Sequence, residues 1–127
     1  KTVATERKAG TIRSTFTTGN DAPLEGIKTI VLVDGGSASA SEIVAAALRD
    51  HGAATLLGEK TYGKGSMQVV EKLADGGELK VTVAKWYTPK GANVDKKGIE
   101  PDTMVTMTEE DYQAQRDPQK DAALATL

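Results

Sequence analysis

The stretch Thr29-Ile30-Val31-Leu32-Val33-Asp34-Gly35-Gly36-Ser37-Ala38-Ser39-Ala40-Ser41-Glu42-Ile43-Val44-Ala45-Ala46-Ala47-Leu48-Arg49-Asp50 decides the fold. Residues 29–33 form an unbroken apolar, largely β-branched run, the pattern of a strand covered on both faces and placed centrally in its sheet. Asp34-Gly35-Gly36 stops that strand. From Ala40 to Arg49 no breaker intervenes and helix formers dominate, with Ile43, Val44, Ala46, Ala47 and Leu48 expected as the buried face. A strand that turns straight into a helix is the unit of an α/β layer.

Outward from this unit the chain keeps alternating. Upstream, residues 1–5 and 11–17 carry β-branched residues on either side of Ala9-Gly10, which predicts two strands and a tight connection. Gly19-Asn20-Asp21-Ala22-Pro23 is turn chemistry and predicts a loop. Downstream of His51-Gly52, residues 54–57 read as a short strand, and 69–73 with 79–87 read as a hairpin across Asp75-Gly76-Gly77. A glycine-rich loop fills 58–66. Thr88-Pro89-Lys90-Gly91 is a turn, and Lys97 to Asp102 an irregular crossing before a last short strand at 103–106. Thr108 with Asp111 resembles a cap for a helix over about 109–116, and Asp117-Pro118 starts a final helix to about 125. No repeat, low-complexity tract or linker divides the chain.

Composition narrows the function classes. The 127 residues fit one domain, and 39% apolar content with a single Phe predicts an aliphatic core. Sixteen basic against eighteen acidic residues give a net charge of -2, so no positive field is available for a phosphate backbone and nucleic acid is not expected as a partner. The chain has no cysteine, which excludes disulfides, thiol catalysis and cysteine-ligated zinc. No apolar run reaches the roughly 18 residues of a membrane helix. The opening KTVATERK, without Met, reads as the start of a piece of something longer.

Two features carry chemistry. The first is the strand-to-helix turn, where free backbone N–H groups and the helix dipole can stabilise an oxyanion, and where Ser37, Ser39 and Ser41 all fall. Serines there also serve simply as caps, and periodicity does not choose among the three. The second is Lys64, flanked by Gly63 and Gly65, where the backbone can approach another element closely. A serine with a lysine as base is sufficient for acyl transfer without histidine, metal or cofactor. Such a lysine must be neutral when it acts, which burial against apolar surface favours. Its bland alternative is a solvated loop lysine. Gln68, next along, has an amide able to hold the lysine amine or a substrate backbone.

Three tempting assignments fall away. Asp50 lies at the far end of the helix, roughly 16 Å from Ser39 at about 1.5 Å per residue, so it cannot orient the base. His51, the sole histidine, sits at that same end and reads as a residue meeting the helix dipole. Gly58 to Lys64 matches the opening of a G-x-x-x-x-G-K-[ST] phosphate loop, but Gly65 stands where the hydroxyl should be and a hairpin follows in place of a helix. Nucleotide binding is not expected.

Taken together, VLVDGGSASASEIVAAALRDHGAATLLGEKTYGKGSMQ, GGELKVTVAKWYTP and KGIEPD, in that order over about residues 27–105, resemble the C-terminal processing peptidases, or tail-specific proteases. The resemblance implies Ser39 as nucleophile, Lys64 as general base, Gln68 as its assistant and the Ala40 backbone N–H as one oxyanion donor. It gives Asp50 a position that affects activity in the family. It also implies an α/β fold of the ClpP/crotonase type, here as a core fragment with a mixed sheet and packed helices. Protein or peptide substrates cleaved at or near their C-terminal tails are implied, with an adaptor or self-association allowed as further partners. The implied location is the periplasm or cell envelope, or a chloroplast lumen. Two departures stand out. Asp34 occupies a position that is commonly asparagine, and neither a PDZ domain nor the NPGG-type loop that supplies the other oxyanion donor is found in residues 1–26. Residues 1–127 are thus expected to be the C-terminal part of a Ser–Lys peptidase core. The alternative is a non-catalytic scaffold or binding fragment.

Overall fold

A computed structural model of the chain describes residues 1–22 and 25–127. The loop expected over 19–23 therefore falls partly, at Pro23, outside the described residues. The elements run β1 (Thr2–Lys8), β2 (Thr11–Thr17), β3 (Ile30–Val33), α1 (Ala40–Asp50), β4 (Thr55–Gly58), β5 (Ser66–Lys72), β6 (Glu78–Tyr87), β7 (Thr103–Met104), α2 (Glu109–Gln113) and α3 (Pro118–Thr126). The mixed α/β character and the element order follow the sequence reading. The last strand is shorter than expected, and α2 ends early because Gln115 adopts a left-handed φ of 53° and Arg116 N donates back to the Asp111 carbonyl at 2.9 Å.

Two sheets result, one antiparallel in the order β2-β1-β6-β5 and one parallel in the order β3-β4-β7. Helix α1 packs between them, touching β1 on one side and β4 on the other, while α3 covers β3 and β4. The core is aliphatic as composition predicted. Val33, Ala45, Ala46, Leu56, Val94 and Ile99 cluster together, with Val31 packed against them.

The opening stretch needs two corrections. Among the described residues β3 is an edge of its sheet, β4 is central, and Leu32 remains 44% exposed. An apolar run reports what a strand could be covered by, whereas its place in a sheet depends on remote partners; here the fully buried pair Leu56–Leu57 takes the middle. On α1 the buried residues are Glu42, Ala45, Ala46 and Ala47, and Val44 is 53% exposed. The small side chains let the helix sit close to two sheets at once, so the apolar face is narrow and Val44 points away from it.

Candidate active site

The turn between β3 and α1 is built by Asp34. Its Oδ1 accepts from Gly36 N at 3.0 Å, Ser37 N at 2.9 Å and Ser37 Oγ at 3.0 Å, while Ser37 Oγ accepts from Asp34 N at 3.1 Å. All of these bonds use Asp34 as an acceptor through one oxygen or as a backbone donor, a role an asparagine could fill equally. They also occupy the Ser37 hydroxyl. Two residues on, Ser39 is the N-cap of α1 and takes φ 56°, ψ −113°. A positive φ at a non-glycine residue is costly, by about 1–3 kcal/mol, and persists only where surrounding contacts over-determine it. Ser39 is half-buried, and Ala40, the first helical residue, is exposed with a backbone N–H that has no acceptor within the helix.

What over-determines Ser39 is Glu42. This glutamate is fully buried, with 0% exposure, and its carboxylate takes four donors: Ser39 N at 2.9 Å, Thr61 Oγ1 at 2.5 Å, Gly63 N at 2.8 Å and Lys64 N at 2.8 Å. An ionised carboxylate has about four acceptor sites, so the set saturates it and offsets the desolvation that burial imposes. One oxygen, Oε2, serves both Ser39 N and Lys64 N. The backbones of the two residues singled out by sequence are thereby bolted to a single atom. Sequence reasoning passed over Glu42, although Ser39 followed three positions later by a glutamate is the signature of a capping box and marks half of this arrangement.

The loop that delivers Lys64 is tied down on its other side. Thr61 Oγ1, besides donating to Glu42, accepts from Ile99 N at 2.7 Å, and Lys96 N donates to the Gly63 carbonyl at 2.8 Å. A Cβ at Gly63 would stand 2.7 Å from Gly98 N, and one at Gly65 2.5 Å from Asp95 N, so the glycines beside Lys64 are required by the crossing segment 94–99. That is the structural role of the KGIEPD stretch. Its Asp102 continues the task by accepting from Leu56 N at 2.8 Å and donating its own N–H to the Leu56 carbonyl at 2.9 Å, which fixes β4.

The side chains are less closely gathered than the backbones. Lys64 is exposed, so the burial expected of a neutral lysine is not provided by these residues. Among the described residues no side-chain hydrogen bond runs from Ser39 Oγ to Lys64 Nζ; the bonds that join them are backbone ones. Gln68 lies on β5 and donates weakly to Thr82 Oγ1 at 3.4 Å, not to Lys64. Even so, Gly36, Ala38, Tyr62, Lys64 and Gln68 line one open cleft of about 530 Å³. At the opposite end of α1, Asp50 accepts from Lys90 N at 3.0 Å and His51 Nε2 faces the Thr2 carbonyl at 2.6 Å. Both are structural anchors there. The loop 58–65 runs into β5, with no helix after it, as expected once a phosphate loop was set aside.

Residues 1–105 match peptidase family S41. The chain belongs to that family. The match begins well upstream of the quoted motifs and takes in β1 and β2. Among curated relatives, the carboxyl-terminal-processing protease of Synechocystis sp. is 47% identical over 106 residues, which cover 81% of this chain and 24% of the relative. The carboxy-terminal-processing protease of Bartonella bacilliformis is 53% identical over 76 residues, covering 60% and 18%. The chain thus spans under a quarter of the length of these S41 relatives. The solved structure of the photosystem II D1 C-terminal processing protease superimposes with a TM-score of 0.77 at 35% identity, covering 83% of this chain and 27% of that one. The tricorn protease, at 22% identity and a TM-score of 0.65, shares the fold. Among the described residues no helix is long and apolar enough to cross a membrane.

Proposed function

We propose that this S41 chain carries the nucleophile and general base of a serine endopeptidase that cleaves proteins at or near their C-terminal ends. In this reading Ser39 Oγ attacks the substrate carbonyl carbon while its proton passes to the neutral amine of Lys64. The negative oxygen of the tetrahedral intermediate is met by Ala40 N–H at the start of α1, and a second donor comes from elsewhere in the whole protein. Collapse expels the amine product with the proton Lys64 had taken, leaving an acyl ester on Ser39. Water then attacks the ester with Lys64 again as base, releasing the acid and the free serine. Gln68, at the rim of the same cleft, holds the lysine amine or the substrate backbone.

The observation that carries this reading is the shared Glu42 oxygen, which fixes Ser39 and Lys64 side by side at a strained N-cap. In the full-length protein, Ser39→Ala and Lys64→Ala are each expected to lower turnover of an unfolded protein substrate by about 10⁴ or more. Turnover left intact by either change sinks the assignment. Wild-type turnover is expected to rise with pH as the base loses its proton, and a rate flat between about pH 5 and pH 10 counts against a lysine base.

The second reading, a scaffold without activity of its own, is favoured by the exposure of Lys64. A serine-directed fluorophosphonate separates the two: residues 1–127 alone are expected to label weakly or not at all, and the full-length protein strongly. The expected location of that protein is the periplasm or cell envelope.

A further inference from the structure

The open cleft that holds Lys64 is unevenly charged. Its lining carries two ammonium groups, Lys64 and Lys96, against one carboxylate, Asp95, and its other side chains, Tyr62, Ser66 and Gln68 among them, are uncharged. That carboxylate is already paired. Asp95 Oδ2 lies 3.0 Å from the Nζ of Lys85 on β6, and the Asp95 side chain is only 11% exposed, with its backbone packed against Gly65. Of the charges adjoining the cleft, Glu42 is saturated by its four donors, and Asp34 and Lys97 lie outside the lining. Neither Lys64 nor Lys96 makes an ion pair among the described residues. In the reading above Lys64 acts as a neutral base, so Lys96 is the cation that persists in the cleft through turnover. Its root is fixed. Lys96 takes a left-handed φ of 60°, which a long side chain adopts only at a cost, and it is held there because Lys96 N donates to the Gly63 carbonyl at 2.8 Å while Lys97 N and Gly98 N both donate to the Val94 carbonyl at 3.0 Å. Glycine would make that turn with less strain, so the turn itself does not call for lysine. The Lys96 side chain is exposed in the cleft, and its root is bonded to the residue before Lys64.

We propose that Lys96 is a specificity residue that receives a carboxylate of the substrate lying in the cleft near the scissile bond; the inference rests on the peptidase reading above. The ligand chemistry is a single carboxylate. It has two sources, the free α-carboxylate of a short tail or the side chain of an aspartate or glutamate. A lysine meets either as a point charge with three rotatable donors on a flexible stem, so it selects for charge more than for geometry. An exposed pair of this kind changes affinity by a few-fold and is screened by salt.

The test uses full-length protein carrying Ser39→Ala, so that binding is read without cleavage. The probe is an acetylated hexapeptide of alanine and valine in three forms: the free acid, the C-terminal amide, and the amide with a glutamate placed in turn at each of its last three positions. Each form is titrated with and without the further change Lys96→Gln. The quantity read is the coupling, the affinity ratio of a carboxylate form over the plain amide, divided by the same ratio in the Lys96→Gln protein, so that binding elsewhere in the chain cancels. A coupling of about fivefold is expected at low salt, retained by Lys96→Arg and reduced toward one at about 0.5 M salt. Coupling for the free acid alone assigns the α-carboxylate as the source, and coupling for the glutamate amides assigns the side chain. Coupling near one for every form, or no measurable binding, overturns the proposal, and so does coupling that Lys96→Arg fails to retain, since charge is then not what is recognised. The peptidase reading is scored separately, by turnover of an unfolded protein in wild type against Ser39→Ala. Its failure would leave a carboxylate-binding cleft without chemistry, whereas failure of the coupling would leave an active peptidase indifferent to charge at this site.

Discussion

The chain contains two helix starts with the same lettering, a hydroxyl residue followed three positions later by an acid, and they are put to different uses. At α2, Thr108 is an ordinary cap: its backbone is extended at φ −89°, its hydroxyl accepts from Asp111 N at 3.2 Å, and Asp111 returns the bond to Thr108 N at 3.2 Å. Everything the box makes is spent on its own helix and on neighbouring Arg116. At α1, Ser39 has φ 56°, its hydroxyl receives no cap bond, and Glu42 gives only one of its four bonds to its own N-cap. The other three reach across to residues 61–64. A local motif has been converted into a long-range clamp.

The sharpest way to break this contrast is to remove the two acids in turn. Glu42→Ala leaves four buried or half-buried donors without a partner and is expected to cost about 3–5 kcal/mol, enough to unfold much of the population. Glu42→Gln keeps the shape but turns an NH₂ toward some of those donors, costing about 2 kcal/mol. Where the Glu42→Gln protein stays folded, turnover should fall by more than its loss of folded fraction, because Ser39 and Lys64 are no longer held to one atom. Asp111→Ala, by contrast, should leave turnover unchanged. Denaturant unfolding combined with turnover per folded molecule checks the set, and equal effects from Glu42 and Asp111 would abolish the distinction.

The clamp also predicts an asymmetry among its donors. Thr61 is buried and serves twice, to Glu42 and from Ile99 N, so Thr61→Val should cost about 1–3 kcal/mol by leaving Ile99 N and one carboxylate position unpaired. Thr61→Ser restores both bonds and should recover most of that loss in the same unfolding measurement. A smaller effect still is expected at Asp34. Asp34→Asn retains every bond the turn makes and should change stability by less than about 0.5 kcal/mol, whereas Asp34→Ala, which removes the side-chain acceptor of Gly36 N and Ser37 N and leaves Ser37 N only the Asp34 carbonyl, should cost about 1 kcal/mol. If Asp34→Asn proves as damaging as Asp34→Ala, charge at this turn matters in a way its hydrogen bonds do not express.

Sequence made the elements legible because each is announced locally: the apolar run before Asp34-Gly35-Gly36, the unbroken helix formers after Ala40, and the Asp75-Gly76-Gly77 turn, where Leu73 N meets the Gly77 carbonyl at 2.8 Å. Motif order likewise placed Ser39 and Lys64 together. What stayed hidden is non-local. Glu42 looks like a solvated helix charge until Thr61, Gly63 and Lys64 fold over it. The edge position of β3 depends on Leu56 and Leu57 taking the centre, and the exposure of Val44 depends on alanines letting α1 approach two sheets. Lys64 shows the same limit in reverse. Its glycine neighbours rightly signalled a close approach, but the approach is to residues 94–99 through the backbone, and the side chain stays in the open cleft.

The two boxes should finally differ in what acid does to them. The Thr108 hydroxyl bond chiefly, then the bond from Thr108 N, hold the Asp111 carboxyl below the usual carboxylate range; slight burial opposes this and Arg116 reinforces it. A carboxyl depressed in the folded state contributes stability above its unfolded value, and that contribution is lost as pH falls through the folded one. The α2 corner should therefore loosen below about pH 4, the ordinary range for aspartate, while remaining intact at neutral pH. Carboxyl-carbon NMR checks this directly. The Asp111 midpoint in wild type should lie below that of an unstructured aspartate, and Thr108→Val should move it upward without abolishing the shift, since Thr108 N and Arg116 remain. An unmoved midpoint would mean that the hydroxyl does not dominate, leaving the bond from Thr108 N, inside the motif, and Arg116, outside it, to hold the carboxyl down.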